Sequence, residues 1–121
     1  MAARRICRLH QFEDQTLVIE IPQVYRQGVS KGDPNDLIQL VGVAGAIIGT
    51  GFQKVVTKLP KEWKGQVPKP TDTKKPYIIA ERAKKRLSHK EYDRVLLPTN
   101  VRHQWDVWDA IGLGLSHLRR L

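Results

Sequence analysis

Cysteine is nearly missing from this 121-residue chain, where Cys7 stands alone. One thiol excludes an internal disulfide and a cysteine metal cluster, and it fits a reducing, intracellular setting. Long hydrophobic runs are missing too. The longest, residues 37–52, is interrupted by Gln39 and falls short of the roughly 20 residues of a membrane span. The basic start M-A-A-R-R-I-C-R-L-H lacks the apolar stretch of a secretory signal, which again favours the cytoplasm. Neither G-x-G-x-x-G nor G-x-x-x-x-G-K-S/T occurs, so the familiar glycine-loop nucleotide sites are excluded. Internal repeats and a recognisable interdomain linker are also lacking, and the length suits one domain over 1–121 with a substantial core.

Acidic residues are scarce in one particular third of the chain. Between Lys54 and Lys90 there are 12 Lys or Arg against 3 acids, an excess equal to the net charge of +9 for the whole protein. Charge concentrated in this way favours a polyanionic partner, with nucleic acid first. A membrane surface is disfavoured, because no basic amphipathic helix with bulky apolar anchors accompanies it.

The order of elements predicts an α/β domain. Residues 1–15 read as a short helix or irregular lead-in. Thr16 to Tyr25 is a short, Val- and Ile-rich strand whose apolar run suggests cover on both faces, with Pro22 ending its pairing soon after Glu20. Residues 26–34 form a loop. Asn35 to Gly49 reads as a buried helix capped by Asp33 or Asn35, with Gly42, Gly45 and Gly49 permitting close packing. Phe52 to Leu59 is a second strand, and Pro60 to Pro76 a long Lys- and Pro-rich loop containing Trp63. A basic helix over Ile78 to Leu87 follows. S-H-K-E at Ser88 to Glu91 is a capping-box pattern, and residues 103–120 form the last helix.

That last helix carries the sharpest signal. Asp106 and Asp109 are three residues apart, hence on one face, among Trp105, Val107, Trp108, Ile111 and Leu113. A half-buried pair of like charges requires compensation, and a divalent metal is a common form of it. Two ordinary acids on a solvated face are the plain alternative. Glu20 is the second anomaly, a carboxylate inside V-I-E-I-P, serving either a structural ion pair or a ligand role. Together Glu20, Asp106 and Asp109 would supply three hard oxygen donors suited to Mg²⁺ or Mn²⁺, in the manner of metal-assisted phosphodiester hydrolysis. His103 precedes Asp106 on the same stripe and is a weaker candidate for proton transfer or phosphate binding. His10, His89 and His117 have no cluster for zinc. Trp105 and Trp108 read as core or interface aromatics. Trp63 is either a stacking platform for an unpaired base or a pin for the lysine loop.

Four segments in order, V-I-E-I-P-Q-V-Y, V-A-G-A-I-I-G, P-K-E-W-K-G-Q-V-P-K and D-V-W-D-A-I-G-L-G-L, resemble the RuvC-like Holliday-junction resolvases, closest to their phage and prophage members. The similarity runs from about Leu17 to Leu118. It implies a ribonuclease H-like central sheet flanked by helices, and a metal-dependent endonuclease acting on branched DNA in recombination. It further implies Mg²⁺ or Mn²⁺ on the catalytic acids Glu20, Asp106 and Asp109, DNA-backbone contacts from Lys69 with Lys64 as a second, and a homodimer. Members of that family begin with an aspartate-bearing strand and further strands ahead of the glutamate strand. Here only 19 residues precede Glu20, so the resemblance predicts an N-terminally truncated domain, with a catalytically impaired DNA-binding remnant as the alternative.

Overall fold

The computed structural model describes residues 14–21 and 34–121. Residues 1–13 of the expected lead-in, strand residues 22–25 and loop residues 26–33 lie outside the described residues, and with them Cys7, His10 and Asp33. The described part is mixed α/β, with a two-stranded parallel sheet and five helices. In order these are β1 (Thr16–Glu20), α1 (Pro34–Ile48), β2 (Lys54–Lys58), α2 (Pro60–Trp63), α3 (Ile78–Arg86), α4 (His89–Asp93) and α5 (Val101–His117). Two compact units divide the chain, Met1–Pro60 and Lys61–Leu121. The division falls inside α2, where the sequence shows no linker.

In the first unit, β1 and β2 pair in parallel with Thr16 opposite Lys54 and Glu20 opposite Lys58. Parallel strands need a crossover, and α1 lies between them in sequence. The register puts Glu20 opposite Lys58, so the two side chains leave the ladder on the same side of the sheet. The buried helix expected over Asn35 to Gly49 is corrected by the structure. Helix α1 forms there, yet Ile38, Leu40, Val41 and Val43 are all more than half exposed, and only Ala44 is buried within it. Nor do its glycines permit a close approach, since a Cβ at Gly42 or Gly45 would meet nothing within 4 Å. The reason is geometric. A helix apolar on nearly every side needs cover all round, and among the described residues neither strand packs extensively against it.

The second unit is built around α5. Trp105, Trp108, Gly112 and Leu115 recur at three- and four-residue spacing and form its buried stripe. Ile79, Ala80 and Ala83 of α3 meet that stripe, together with Tyr77, and the two alanines leave room for the indoles. Asn100 starts α5 by accepting hydrogen bonds from the amides of Arg102 and His103. The capping box at Ser88 is present in full. Gly112 is required by a close approach, since a Cβ there would stand 2.9 Å from Trp63 Cζ3 and 3.2 Å from Ile79 Cγ2. Gly112→Ala is therefore expected to lower stability by about 1–3 kcal/mol, as overpacking does. Chemical denaturation of the two proteins measures the difference, and a neutral result would mean that Trp63 can move aside.

The end of α5 is tied down by one carboxylate. Arg119 takes a left-handed φ of 57° and the amide of Arg120 reaches back to the carbonyl of Leu115. Arg120 then donates to both oxygens of Glu91, at 2.9 and 2.7 Å, and to the carbonyl of Arg86. The Arg120 hydrogen bonds, with those from Ser88, hold the Glu91 carboxyl down at about 2 against an ordinary 4.5. A lowered folded-state value means that this contribution is fully present above pH 4.5 and is lost as pH falls towards 2. Acid unfolding curves should consequently show a component in that window that Glu91→Gln removes. Parallel curves for the two proteins would contradict the assignment.

Candidate functional site

The spacing of the tryptophans sets the spacing of the acids. Asp106 and Asp109 each follow a buried indole by one residue, a rotation of about 100° from the packed stripe. The two indoles fix the rotation of α5, and the carboxylates come to lie along its edge. Their environments differ. The Asp109 side chain is 18% exposed and that of Asp106 is 64% exposed, so the half-buried pair expected from sequence is one half-buried acid and one solvated acid.

Three residues from the loop and the start of α3 converge on this edge. Tyr77 donates its phenolic hydroxyl to Asp109 Oδ1 at 2.6 Å. At the other oxygen of Asp109, Lys64 Nζ and Lys69 Nζ both stand at 3.5 Å. Lys69 Nζ also reaches Asp106 Oδ1 at 2.5 Å and so bridges the two acids. Lys64 follows α2 directly, where Gly65 turns the chain with a φ of 63° that side-chain-bearing residues rarely adopt. Tyr77 precedes the first turn of α3 in extended conformation, and its buried ring tilts against Trp105 at 5.8 Å. The phenol is thereby held in one place. A hydrogen bond to an ionised carboxylate contributes about 1.5–3 kcal/mol, which exceeds what the exposed Lys69–Asp106 pair adds.

Two opposing effects act on Lys69. Burial favours its neutral form, but the hydrogen bond to Asp106 and the charges of Asp109 and Asp106 outweigh it and hold its pKa above the ordinary lysine value. The residue is a firm ammonium, held between two carboxylates.

Four of the five residues expected from sequence therefore stand together in the second unit: Asp106, Asp109, Lys64 and Lys69. Glu20 belongs to the first unit, on β1 beside Lys58. His103 is exposed one turn before Asp106. Trp105 and Trp108 are core residues, 5% and 2% exposed. Trp63 packs against the core edge at Gly112 and also carries Lys64 Nζ 5.2 Å from its ring centre. Sequence reasoning missed Tyr77. Its only signal is a tyrosine between Pro76 and an apolar helix start, and nothing local marks it as a partner for a residue 32 positions away.

Asp106 and Asp109 offer hard carboxylate oxygens of the kind a divalent cation takes, and both already have lysine partners. Among the described residues no group of three or more His, Cys, Asp or Glu is gathered in a way that could hold a metal ion. Among those same residues no helix is long and apolar enough to cross a membrane. No protein-family model, curated protein or solved structure matches the chain.

Proposed function

We propose that the protein is a metal-dependent endonuclease of RuvC-like, ribonuclease H-like type, hydrolysing phosphodiesters in branched DNA. The observation that carries this reading is the edge of α5, where two carboxylates three residues apart share a lysine and receive a second lysine and a tyrosine. Acids next to cations at the rim of a basic surface combine the two requirements of phosphodiester chemistry. One is a hard-oxygen site, where Asp106 and Asp109 would hold Mg²⁺ or Mn²⁺ and the ion would supply an activated water and stabilisation of the leaving oxygen. The other is positive charge for the flanking phosphates, here Lys64 and Lys69. Tyr77 fixes the Asp109 carboxylate and leaves its second oxygen for a cation. The homodimer of the resembling family is proposed as the functional assembly. The parallel β1–β2 pair with its intervening helix is compatible with part of a ribonuclease H-like sheet.

A specific observation also favours a second reading. Both acids already have lysine partners, so the same cluster serves equally as an internal brace in a DNA-binding protein without cleavage. Incubation with a synthetic four-way junction separates the two. Nicking that requires Mg²⁺ or Mn²⁺ supports the nuclease. Salt-sensitive binding without nicking at any metal concentration supports the DNA-binding remnant. Where the two lysines contact DNA phosphates, replacing Lys64 and Lys69 together by Ala should weaken binding to all sequences alike, because the DNA backbone carries no base code. The slope of log affinity against log salt should fall by about 0.9 for each phosphate that is no longer neutralised, or about 1.8 in total. An unchanged slope would move the DNA surface elsewhere.

A further inference from the structure

The second unit holds a cavity of about 570 Å³ lined by Trp63, Arg82, Lys85, Arg86, Ser116 and Leu121. Its size falls within the range of small-ligand pockets. The lining side chains comprise three cations, one large aromatic ring, one hydroxyl and one aliphatic group, with no Asp or Glu among them. Arg82, Lys85 and Arg86 occupy positions i, i+3 and i+4 of α3, so they share a face and repel one another. Among the described residues no salt bridge engages any of the three. Lys84, on the same helix, is by contrast paired with Glu81. A basic face meant only for solubility gains nothing from an aromatic wall or a concave shape. An anion attached to a flat ring uses all three features.

We propose that this cavity takes one unpaired nucleotide of a DNA strand. Its phosphate lies against Arg82, Lys85 and Arg86, and its base lies on the indole of Trp63. Stacking on an aromatic ring beside cations is how single strands are held without sequence preference. Two of the pocket's residues are close in sequence to the acid edge. Trp63 is followed directly by Lys64, which pairs with Asp109, and Ser116 lies seven residues beyond Asp109 on α5. Seven residues are two helical turns, so the two places are on one face and about 10 Å apart along the axis. At about 3.4 Å per stacked nucleotide, that distance corresponds to roughly three steps of one strand. A strand with a phosphate at Asp109 thus has a base about three positions away within reach of Trp63. Unpaired nucleotides are available at that distance near a branch point and are not available in continuous duplex. The proposal rests on the reading of the protein as DNA-binding and adds to it where the unpaired nucleotide goes.

Tryptophan fluorescence tests it on the full chain. Trp105 and Trp108 are buried, so quenching by a stacked base reports on Trp63, and Trp63→Phe should remove the signal while leaving binding measurable by anisotropy. The probes are a thymidine oligonucleotide, duplex DNA of equal length, thymidine 5′-monophosphate, inorganic phosphate and a four-way junction. The oligonucleotide is expected to quench, the monophosphate to quench at much higher concentration, and the duplex and inorganic phosphate not to quench. Arg82→Gln with Lys85→Gln, both at exposed positions, should weaken oligonucleotide binding by about tenfold or more with Lys64 and Lys69 intact. Quenching by duplex equal to that by single strand would overturn the proposal, as would an unaltered affinity in the double variant. Junction binding retained without any quenching overturns the pocket and spares the DNA-binding reading. Loss of binding to every DNA probe overturns both.

Discussion

Asp109→Asn should reduce metal-dependent cleavage of a four-way junction by about a hundredfold to ten-thousandfold at fixed Mg²⁺, as expected when several kcal/mol of charge stabilisation is lost. Asparagine has the shape of aspartate and still accepts the Tyr77 hydroxyl, so the local fold is preserved and the charge alone is removed. The same substitution frees Lys64 and Lys69 from the oxygen that both approach at 3.5 Å, so junction affinity should stay equal or rise. Opposite signs for cleavage and binding distinguish this outcome from unfolding, which lowers both. A gel assay of nicking beside an anisotropy titration measures the two quantities. Undiminished cleavage would remove Asp109 from the chemistry.

Trp108→Ala should have the largest effect on stability of any single substitution in the second unit. The indole is 2% exposed, stacks with Tyr92 at 6.2 Å and lies beneath the ammonium of Lys84 at 5.5 Å. Truncating a buried tryptophan costs about 3–5 kcal/mol, a large part of the total stability of a small domain. The melting temperature should fall by roughly 12 °C at least, since each kcal/mol is worth about 4–8 °C at this size. Because Trp108 also fixes the rotation of α5, the variant should lose the convergence of Lys64, Lys69 and Tyr77 on Asp109. Calorimetry tests the first claim. A shift of only a few degrees would mean that the core does not depend on this ring.

Much of the second unit was legible in the sequence because its signals are local. W-D-V-W-D carries its own periodicity, and the buried stripe and the acid edge follow from one count along the helix. Ser88 and Glu91 announce their cap within four residues. The partners of the acids were not legible, because Lys64 lies 45 residues from Asp109 and Lys69 lies 37 from Asp106. Sequence marked both lysines as DNA contacts from the resemblance alone, and no spacing rule predicts that they turn inward onto carboxylates. The exposure of α1 was illegible for the opposite reason. An apolar helix states that it needs cover, and it does not state which element supplies it. Glu20 lay between these cases. Its oddity within β1 was plain, whereas the neighbouring Lys58 became visible only once the parallel register was known.

The bridge made by Lys69 has a consequence in electroneutrality. Asp106 and Asp109 together carry two negative charges, and Lys64 and Lys69 two positive ones, so the cluster as it stands is neutral. A divalent ion brings the same two charges in the space of one atom. On the proposed reading, an ion held by the two carboxylates would leave the cluster neutral only if both ammonium groups departed, and Lys69, which bridges the acids, would be the first to leave. Each ion bound would then turn two lysine charges outward. The ion concentration would therefore set the positive charge of the neighbouring surface, although no ion would touch that surface. Affinity for a polyanion would rise with the cation that ordinarily screens it, over the range in which the acid pair fills.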